Sequence, residues 1–135
     1  MDASSLKAAP TATIHVKNAA GEPLYDGENP VQIVLHGPGT RPYATVEARQ
    51  TARALKRLND NEGKMTAPTA EERRAETAQD LAEITVGFNH LTYGDKTGNE
   101  LFQAVYEDAE LGYITAQVTK SVKDWGNFLP KSVAA

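Results

Sequence analysis

The sequence predicts an α+β fold in which an N-terminal antiparallel β-hairpin packs on a bundle of about four α-helices. Residues 11–17 alternate between polar and apolar, which is the period of a half-buried strand, and residues 31–36 give a second strand. Later in the chain the apolar residues recur at helical spacing instead. A chain of 135 residues, 40% of them hydrophobic, has room for one such core. We expect a flexible tail over residues 1–10, a single domain over 11–130 and a flexible tail over 131–135.

A glycine-rich turn joins the second strand to the first helix. Gly37-Pro-Gly39 superficially resembles a phosphate-binding loop, but it lacks the spaced glycines and the lysine–serine or lysine–threonine pair of such loops. A tight strand-to-helix turn explains it fully. Thr40 can then cap a helix over about residues 42–58. The apolar face expected for this helix is thin and consists of Val46, Ala54, Leu55 and Leu58.

The second helix has a recognisable start. Thr69 followed three residues later by Glu72 matches a capping box. We expect the helix to run to about residue 86 and to end at Gly87. Residues 59–68, which precede it, are polar and are expected to be mobile or a frayed helix end. The apolar stripe of the second helix consists of Ala78, Leu81, Thr85 and Phe88, with Ile84 alongside.

Two further helices complete the predicted bundle. Thr97 or Asn99 begins a short third helix, and Asp108 caps the last one. The third helix carries on one face Leu101, Phe102, Val105 and Tyr106. Steps of three, four, four and three keep the apolar residues of the last helix on one side: Leu111, Ile114, Val118, Val122 and Trp125.

Charge is distributed unevenly along the chain. The formal net charge of −4 argues against a general nucleic-acid-binding protein, which would normally be basic. Residues 41–58 nevertheless contain five basic side chains against one acid, whereas residues 59–83 contain seven acids against three bases. These stretches can pair with each other within the fold or complement the charge of a partner. They are also compatible with two solvated helix faces that do no specific work.

We find no residue pattern that predicts catalysis. The absence of cysteine excludes disulfides, thiolate metal sites and a cysteine nucleophile. The hairpin could bring His15 and His36 together, but nothing nominates a third metal ligand. The acids near residues 95–110 lack the spacing of a calcium-binding loop. We therefore expect a protein that is not an enzyme, has no cofactor and holds no metal.

Aromatic residues crowd into the last quarter of the chain. They are Tyr106, Tyr113, Trp125 and Phe128. They can form the core beneath the hairpin, because aromatic side chains bury large apolar areas. Some of them can instead line an exposed groove, because tryptophan and tyrosine are favoured as interface anchors.

Two short motifs near the C-terminus carry a family resemblance. Residues 113–118 read aromatic–Ile–x–x–Gln–Val, and residues 127–129 read Asn–Phe–Leu. They follow a strand pair, a glycine–proline turn and an arginine-rich helix. In this order, over roughly residues 11–130, the chain resembles the tail assembly chaperones of long-tailed bacteriophages (siphoviruses), the group that includes lambda and HK97.

This resemblance implies a function and a set of partners. Such a chaperone binds and solubilises the tape measure protein and helps to recruit major tail tube subunits around it, in some phages through a ribosomally frameshifted extension. Leu129-Pro-Lys131 is compatible with a slippery sequence, which only the nucleotide sequence can decide. We expect self-association, no nucleic-acid partner and no membrane partner. The expected location is the cytoplasm of the infected bacterium, and the protein is expected to be absent from the mature virion.

The expected partner-binding surface combines the last two helices with the basic helix. It consists of Tyr106, Tyr113, Ile114, Gln117, Trp125, Phe128, Arg49 and Arg53. One alternative is a structural virion protein of the tail or head–tail junction, which would remain in the finished particle. Another is a small phage protein that binds a host factor. Mass spectrometry of virions and the order of neighbouring genes distinguish these alternatives.

Overall fold

The computed structural model describes residues 1–63 and 67–130. Five strands lie in this part of the chain: β1 (Thr11–His15), β2 (Tyr25–Asp26), β3 (Asn29–Pro30), β4 (Gln32–His36) and β5 (Thr85–Asn89). Four α-helices accompany them: α1 (Arg41–Asp60), α2 (Ala70–Ile84), α3 (Gly98–Glu107) and α4 (Gly112–Lys123). The predicted α+β class is confirmed, with an antiparallel hairpin near the N-terminus and four helices.

The predicted hairpin forms the first two strands of a three-stranded antiparallel sheet. Its order is β1-β4-β5, so β4 is the central strand. Ile14 pairs with Ile33 in the β1–β4 ladder. Because side chains alternate along a strand, Ile33 and Leu35 share one face, and both are fully buried. The remaining strands, β2 and β3, form a separate two-stranded ribbon in the connection between β1 and β4.

The register of the hairpin separates the two histidines. His15 pairs with Gln32, and His36 pairs with Thr11. The histidines therefore lie at opposite ends of the ladder, and the expectation that the hairpin could bring them together is wrong. Among the described residues no three His, Asp or Glu side chains form a group that could hold a metal ion.

Strand β5 was not predicted. The expectation of a helix to about residue 86 is wrong, because α2 ends at Ile84 and the chain continues directly as a strand that pairs with β4. Thr85 and Val86 are β-branched, and Phe88 is aromatic, so this stretch fits a pleated surface better than a helix. An irregularity in the β4–β5 ladder leaves Val86 exposed at the edge of the sheet.

The core lies between the sheet and the helices. Each of α2, α3 and α4 contributes to it, and α1 contributes one residue, Val46. The buried apolar residues are Val16, Val31, Ile33, Leu35, Val46, Ala78, Leu81, Ala82, Ile84, Val105, Tyr106, Ile114, Val118, Val122 and Phe128. No helix in the described ranges is long and apolar enough to cross a membrane.

Two predicted helix caps have different outcomes. Thr69 is the N-cap of α2, and its hydroxyl accepts a hydrogen bond from the Glu72 amide at 3.1 Å, as the capping box predicts. Asp108 caps only a short 3-10 turn, Ala109–Leu111, so α4 begins later than expected, at Gly112. At its other end α4 stops at Lys123, before Trp125. The five-residue apolar stripe is therefore confirmed only for its three helical members, which are the buried residues Ile114, Val118 and Val122.

The predicted tails fall partly outside the described residues. The C-terminal tail, 131–135, lies entirely outside them, as do residues 64–66 of the polar connection that was expected to be mobile. At the N-terminus, Ala3–Leu6 form an exposed 3-10 turn. Ala9 donates its amide to the Phe128 carbonyl at 2.9 Å, so the end of this segment is hydrogen-bonded to the domain.

Candidate partner-binding site

Three of the eight predicted partner-binding residues belong to the core. Tyr106, Ile114 and Phe128 are buried among the other core side chains. Their apolar surface is buried inside the molecule and is not available to a partner in this fold. For these three residues the expectation of a contact surface is corrected. Tyr106 and Ile114 lie on the apolar stripes of α3 and α4, which contribute to the core, and Phe128 joins the core from the segment after α4.

Tyr106 also has its hydroxyl satisfied inside the core. Thr85 Oγ1 donates to the Leu81 carbonyl at 2.7 Å and lies 2.8 Å from the Tyr106 hydroxyl. Because a hydroxyl has one hydrogen, Tyr106 must be the donor to Thr85. Burial raises the pKa of the Tyr106 phenol. Tyr106 therefore has a structural role.

Phe128 anchors the C-terminal segment. Its ring lies directly over Gly37, where an added Cβ would come within 2.8 Å of Phe128 Cδ1. The turn itself is closed by the Thr40 amide and hydroxyl, which both donate to the Gly37 carbonyl, at 3.2 and 2.7 Å. The interpretation of Gly37-Pro-Gly39 as a tight strand-to-helix turn is confirmed. The glycine at its start also makes room for the aromatic ring.

Gln117 binds the protein's own backbone. Its Oε1 accepts from the Lys17 amide at 2.8 Å, and its Nε2 donates to the Lys17 carbonyl at 2.7 Å and to the Tyr113 carbonyl at 3.1 Å. The side-chain amide thus pairs with Lys17 as a neighbouring strand would, and it fixes α4 to the chain just after β1. Tyr113 is half-buried and packs against the core. Gln117 and Tyr113 are thus both engaged in contacts within the fold.

Trp125 is the predicted partner-binding residue that the fold leaves in solvent. Its side chain is 57% exposed, and two ring atoms lie 3.7 and 3.8 Å from where a Cβ on Gly39 would stand. The Asp124 side chain caps the 3-10 turn Trp125–Asn127 by accepting from the Gly126 amide. Leu129, on the other side of buried Phe128, is 44% exposed. We call Trp125 and Leu129 the Trp125 surface.

Arg49 and Arg53, the two predicted basic contacts, face α2 instead of a partner. Arg49 Nη2 lies 2.9 Å from Glu83 Oε1, and Arg53 Nη1 lies 2.8 Å from Asp80 Oδ2. These two pairs show that the basic stretch and the acidic stretch of the sequence meet within the fold. The expectation that the two arginines are open to a partner is corrected.

The ion pairs between α1 and α2 form a regular series. Arg57 pairs with Glu76 one turn beyond Arg53, so basic residues at 49, 53 and 57 meet acidic residues at 83, 80 and 76. Residues three or four apart lie on one face of a helix, and the two helices run in opposite directions, so the pairs form in order. We call these six residues the arginine ladder. The matched spacings of basic residues 49, 53 and 57 and acidic residues 76, 80 and 83 are the signal in the sequence for these pairs.

The arginine ladder shows that α1 turns a different face toward α2 from the one expected. Val46 is buried as predicted, but Leu55 is 56% exposed, and Ala54 also faces solvent. Positions 49, 53 and 57, which we had not placed on the inner face, are the ones that face α2. The predicted apolar face of the first helix is therefore wrong for Ala54 and Leu55. Of its other two members, Val46 is buried and Leu58 is half-buried.

Two of the openings beside these helices also border α4. A cavity of about 270 Å³ lies where α1, α2 and α4 meet, between Val46, Leu81, Ile84 and Val122. A more open groove of about 320 Å³ runs between the start of α2 and the start of α4, past Arg73 and Arg74.

Comparison with known proteins adds no family assignment. The chain matches no protein-family model, no curated protein and no solved structure. The functional argument therefore depends on the residues described above and on the motif resemblance.

Proposed function

We propose that this chain is a tail assembly chaperone of a long-tailed phage, which binds and solubilises the tape measure protein and helps to recruit tail tube subunits. The observation that carries the proposal is the exposure of Trp125 and Leu129 beside a firmly anchored Phe128. Exposed tryptophan is costly to leave in water and is favoured at interface centres. A surface that presents it on a fixed segment suits transient binding of another chain.

The rigidity of the Trp125 surface supports a binding role. Two hydrogen bonds hold the turn. The Asp124 carboxylate accepts from the Gly126 amide at 2.9 Å, and Asn127 Nδ2 donates to the Ser121 carbonyl at 3.0 Å. A side chain held in place before binding loses less entropy when a partner covers it. The indole is therefore presented to solvent at a defined position.

The chemistry of the client fits a shallow apolar surface. The resemblance implies a long helical client, and an unassembled amphipathic helix exposes an apolar stripe that promotes aggregation. One small apolar contact gives modest affinity. Many chaperone copies along one client give avidity while each copy can still be displaced.

The direct test is coexpression with the tape measure protein encoded by the same phage genome. We expect the wild-type chain to keep the client in the soluble fraction and Trp125→Ala to lose most of this effect. Leu55→Ala is the matched control, because Leu55 is equally exposed but lies on the outer side of α1. Equal solubilisation by all three proteins would overturn the role of the Trp125 surface.

Mass spectrometry of purified virions tests the proposed function itself. We expect the chain to be absent, because a chaperone leaves before the tail is complete. Stoichiometric presence in the particle would instead identify a structural component of the tail or head–tail junction.

A further inference from the structure

Helix α1 is attached to the domain mainly through charged side chains. Its inner face beyond Val46 presents Arg49, Arg53 and Arg57 to α2. In its 20 residues α1 buries one apolar side chain, Val46, and packs one half-buried ring, Tyr43, against the core, which is little hydrophobic attachment for its length. The arginine ladder therefore provides most of the specific contact between α1 and α2.

The packing beneath α1 is incomplete. The cavity of about 270 Å³ lies there, and its apolar wall comes from Leu81 and Ile84 of α2 and Val122 of α4. Arg49 Nη1 is buried, lies 3.5 Å from Asp80 Oδ1 and makes no hydrogen bond. Polar side chains, among them Gln50, Asp80 and Lys123, also line this opening, so it is a cleft that reaches solvent, with one buried donor beside it that makes no hydrogen bond. A cleft thus runs beneath α1 on the side that faces α2 and α4.

Detaching α1 would not strand a buried charge. Asp80 is almost fully buried while Arg53 covers it, and removal of Arg53 alone would leave that carboxylate with only the Arg49 guanidinium at 3.5 Å and the Gln50 amide at 3.3 Å. When the whole helix moves away, water reaches both partners of every pair. For the charged pairs the net loss is then only the small difference between a partly exposed ion pair and its hydrated ions. Exposure of Val46 and of the apolar residues beneath it adds a further cost, so the attached state is the more populated one.

The C-terminal end of α1 is a turn that can accommodate such a movement, because Glu62 and Gly63 follow the helix with φ angles of 53° and 82°. The N-terminal end stays attached, since the Gly37 turn is held beneath Phe128. Opening would uncover one continuous face. This face has an apolar strip formed by Leu81, Ile84 and Val122, bordered by the acidic row Glu76, Asp80 and Glu83.

We propose that α1 is a displaceable cover and that the face beneath it binds a basic amphipathic helix of the client. Charge complementarity identifies the occupant: α1 itself shows that arginines four residues apart match the acidic row, and the apolar strip accepts side chains from the same helix. That the client is the tape measure protein rests on the proposed function. The proposals that α1 is a displaceable cover and that its occupant is a basic amphipathic helix do not rest on that function.

The cover is tested first on the wild-type chain alone, by hydrogen–deuterium exchange. An isolated helix of this length is marginal in water, so a detached α1 loses amide protection. The Debye length falls from about 10 Å at 0.1 M salt to about 3 Å at 1 M, which weakens the partly exposed ladder. We expect α1 to exchange faster than α2 and α4 in low salt, and about fivefold faster still in 1 M salt relative to those helices.

Two variants separate the ladder from a general effect of charge. Arg53→Ala should accelerate exchange in α1 in low salt, whereas Lys120→Ala, at an exposed position of α4 away from the arginine ladder, should not. Should Arg53→Ala fail to fold, Arg53→Ala combined with Asp80→Asn removes the stranded carboxylate and should show the same acceleration. Protection of α1 equal to that of α2 and α4 at both salt concentrations overturns the cover.

The occupant is tested with a labelled peptide of residues 41–60. Fluorescence anisotropy should detect binding to the Arg53→Ala chain more tightly than to wild type, with about tenfold weaker binding in 1 M salt. A peptide in which the arginines at 49, 53 and 57 are glutamate is the control and should not bind. Equal binding of both peptides, or binding of neither, overturns the basic occupant. These experiments contain no tape measure protein, so their failure leaves the proposed function standing, and failure of the coexpression test leaves the cover standing.

Discussion

The ring of Phe128 lies so close to Gly37 that a Cβ on this glycine would stand 2.8 Å from Phe128 Cδ1 and 3.1 Å from the Ala9 carbonyl oxygen. Three separate parts of the chain meet here: the N-terminal segment, the turn after β4 and the C-terminal segment. The Gly37 amide also donates to the Pro10 carbonyl at 2.8 Å. The contact therefore fixes the position of the segment that carries Trp125.

Gly37→Ala should destabilise the protein. The new methyl group meets an aromatic ring on one side and a backbone carbonyl on the other, so relief requires movement of the anchored segment. Overpacking of this kind costs about 1–3 kcal/mol in the free energy of unfolding. Urea denaturation of the purified variant measures the change.

Gly39→Ala is the matched control for Gly37→Ala. The added Cβ would lie 3.7 Å from the nearest atom of Trp125, which is an ordinary van der Waals distance. We expect the free energy of unfolding to change by less than about 0.5 kcal/mol. Equal destabilisation by both substitutions would show that the turn, and not Phe128, requires glycine.

The buried hydroxyl pair predicts an asymmetry between two substitutions. In Tyr106→Phe, Thr85 keeps its hydrogen bond to the Leu81 carbonyl, so the loss should be about 1 kcal/mol. In Thr85→Val, the Tyr106 hydroxyl remains buried without an acceptor, and the loss should be about 2–3 kcal/mol. Thermal or urea denaturation of the two variants measures the difference. A larger loss for Tyr106→Phe would contradict the donor assignment.

The same phenol makes stability depend on alkaline pH. Burial raises the pKa of Tyr106 above its ordinary value of about 10. The unfolded chain therefore releases the proton first, and the contribution of Tyr106 is fully present below about pH 10 and is lost as the pH rises further. The stability advantage of wild type over Tyr106→Phe should shrink by about 1.4 kcal/mol per pH unit above 10. Urea midpoints of both proteins between about pH 8 and 11 test this.

The elements that could be predicted from sequence are those with a local signal. Residues 11–17 alternate with period two, and Thr69 caps α2 through contacts within one turn. Strand β5 was missed because its apolar residues continue the spacing of α2, so periodicity alone kept Thr85 and Phe88 on a helix. Pairing with β4 makes this stretch a strand, and β4 lies far from it in the sequence.

The site was less predictable because exposure depends on tertiary packing. Tyr106 and Trp125 are both aromatic residues on an apolar stripe, yet one is buried and the other is exposed. The difference arises where α4 ends: Asp124 caps a new turn after Lys123 and rotates the indole away from the helix face. A helix that ended one turn later would have placed Trp125 beside Val122.

Gln117 provides the last prediction. Gln117→Ala leaves the exposed Lys17 amide and carbonyl to water, so the loss should be about 1 kcal/mol. Gln117→Glu should cost more at neutral pH, because a carboxylate cannot donate and its oxygen would face the carbonyls of Lys17 and Tyr113. Those carbonyls favour the protonated acid in the folded state. The Glu variant should therefore gain stability relative to the Ala variant as the pH falls towards about 4, where a carboxyl group protonates.

Urea midpoints at about pH 7 and pH 4 measure this gain, with Gln103→Glu on α3 as the control for added charge. The control should not gain stability on acidification to the same extent, because the hydrogen bonds to Lys17 belong to Gln117 alone. If Gln117→Glu were as stable as wild type at neutral pH, donation from Nε2 would contribute nothing. The attachment of α4 to the chain after β1 would then depend only on the Lys17 amide and on the packing of Tyr113 against the core.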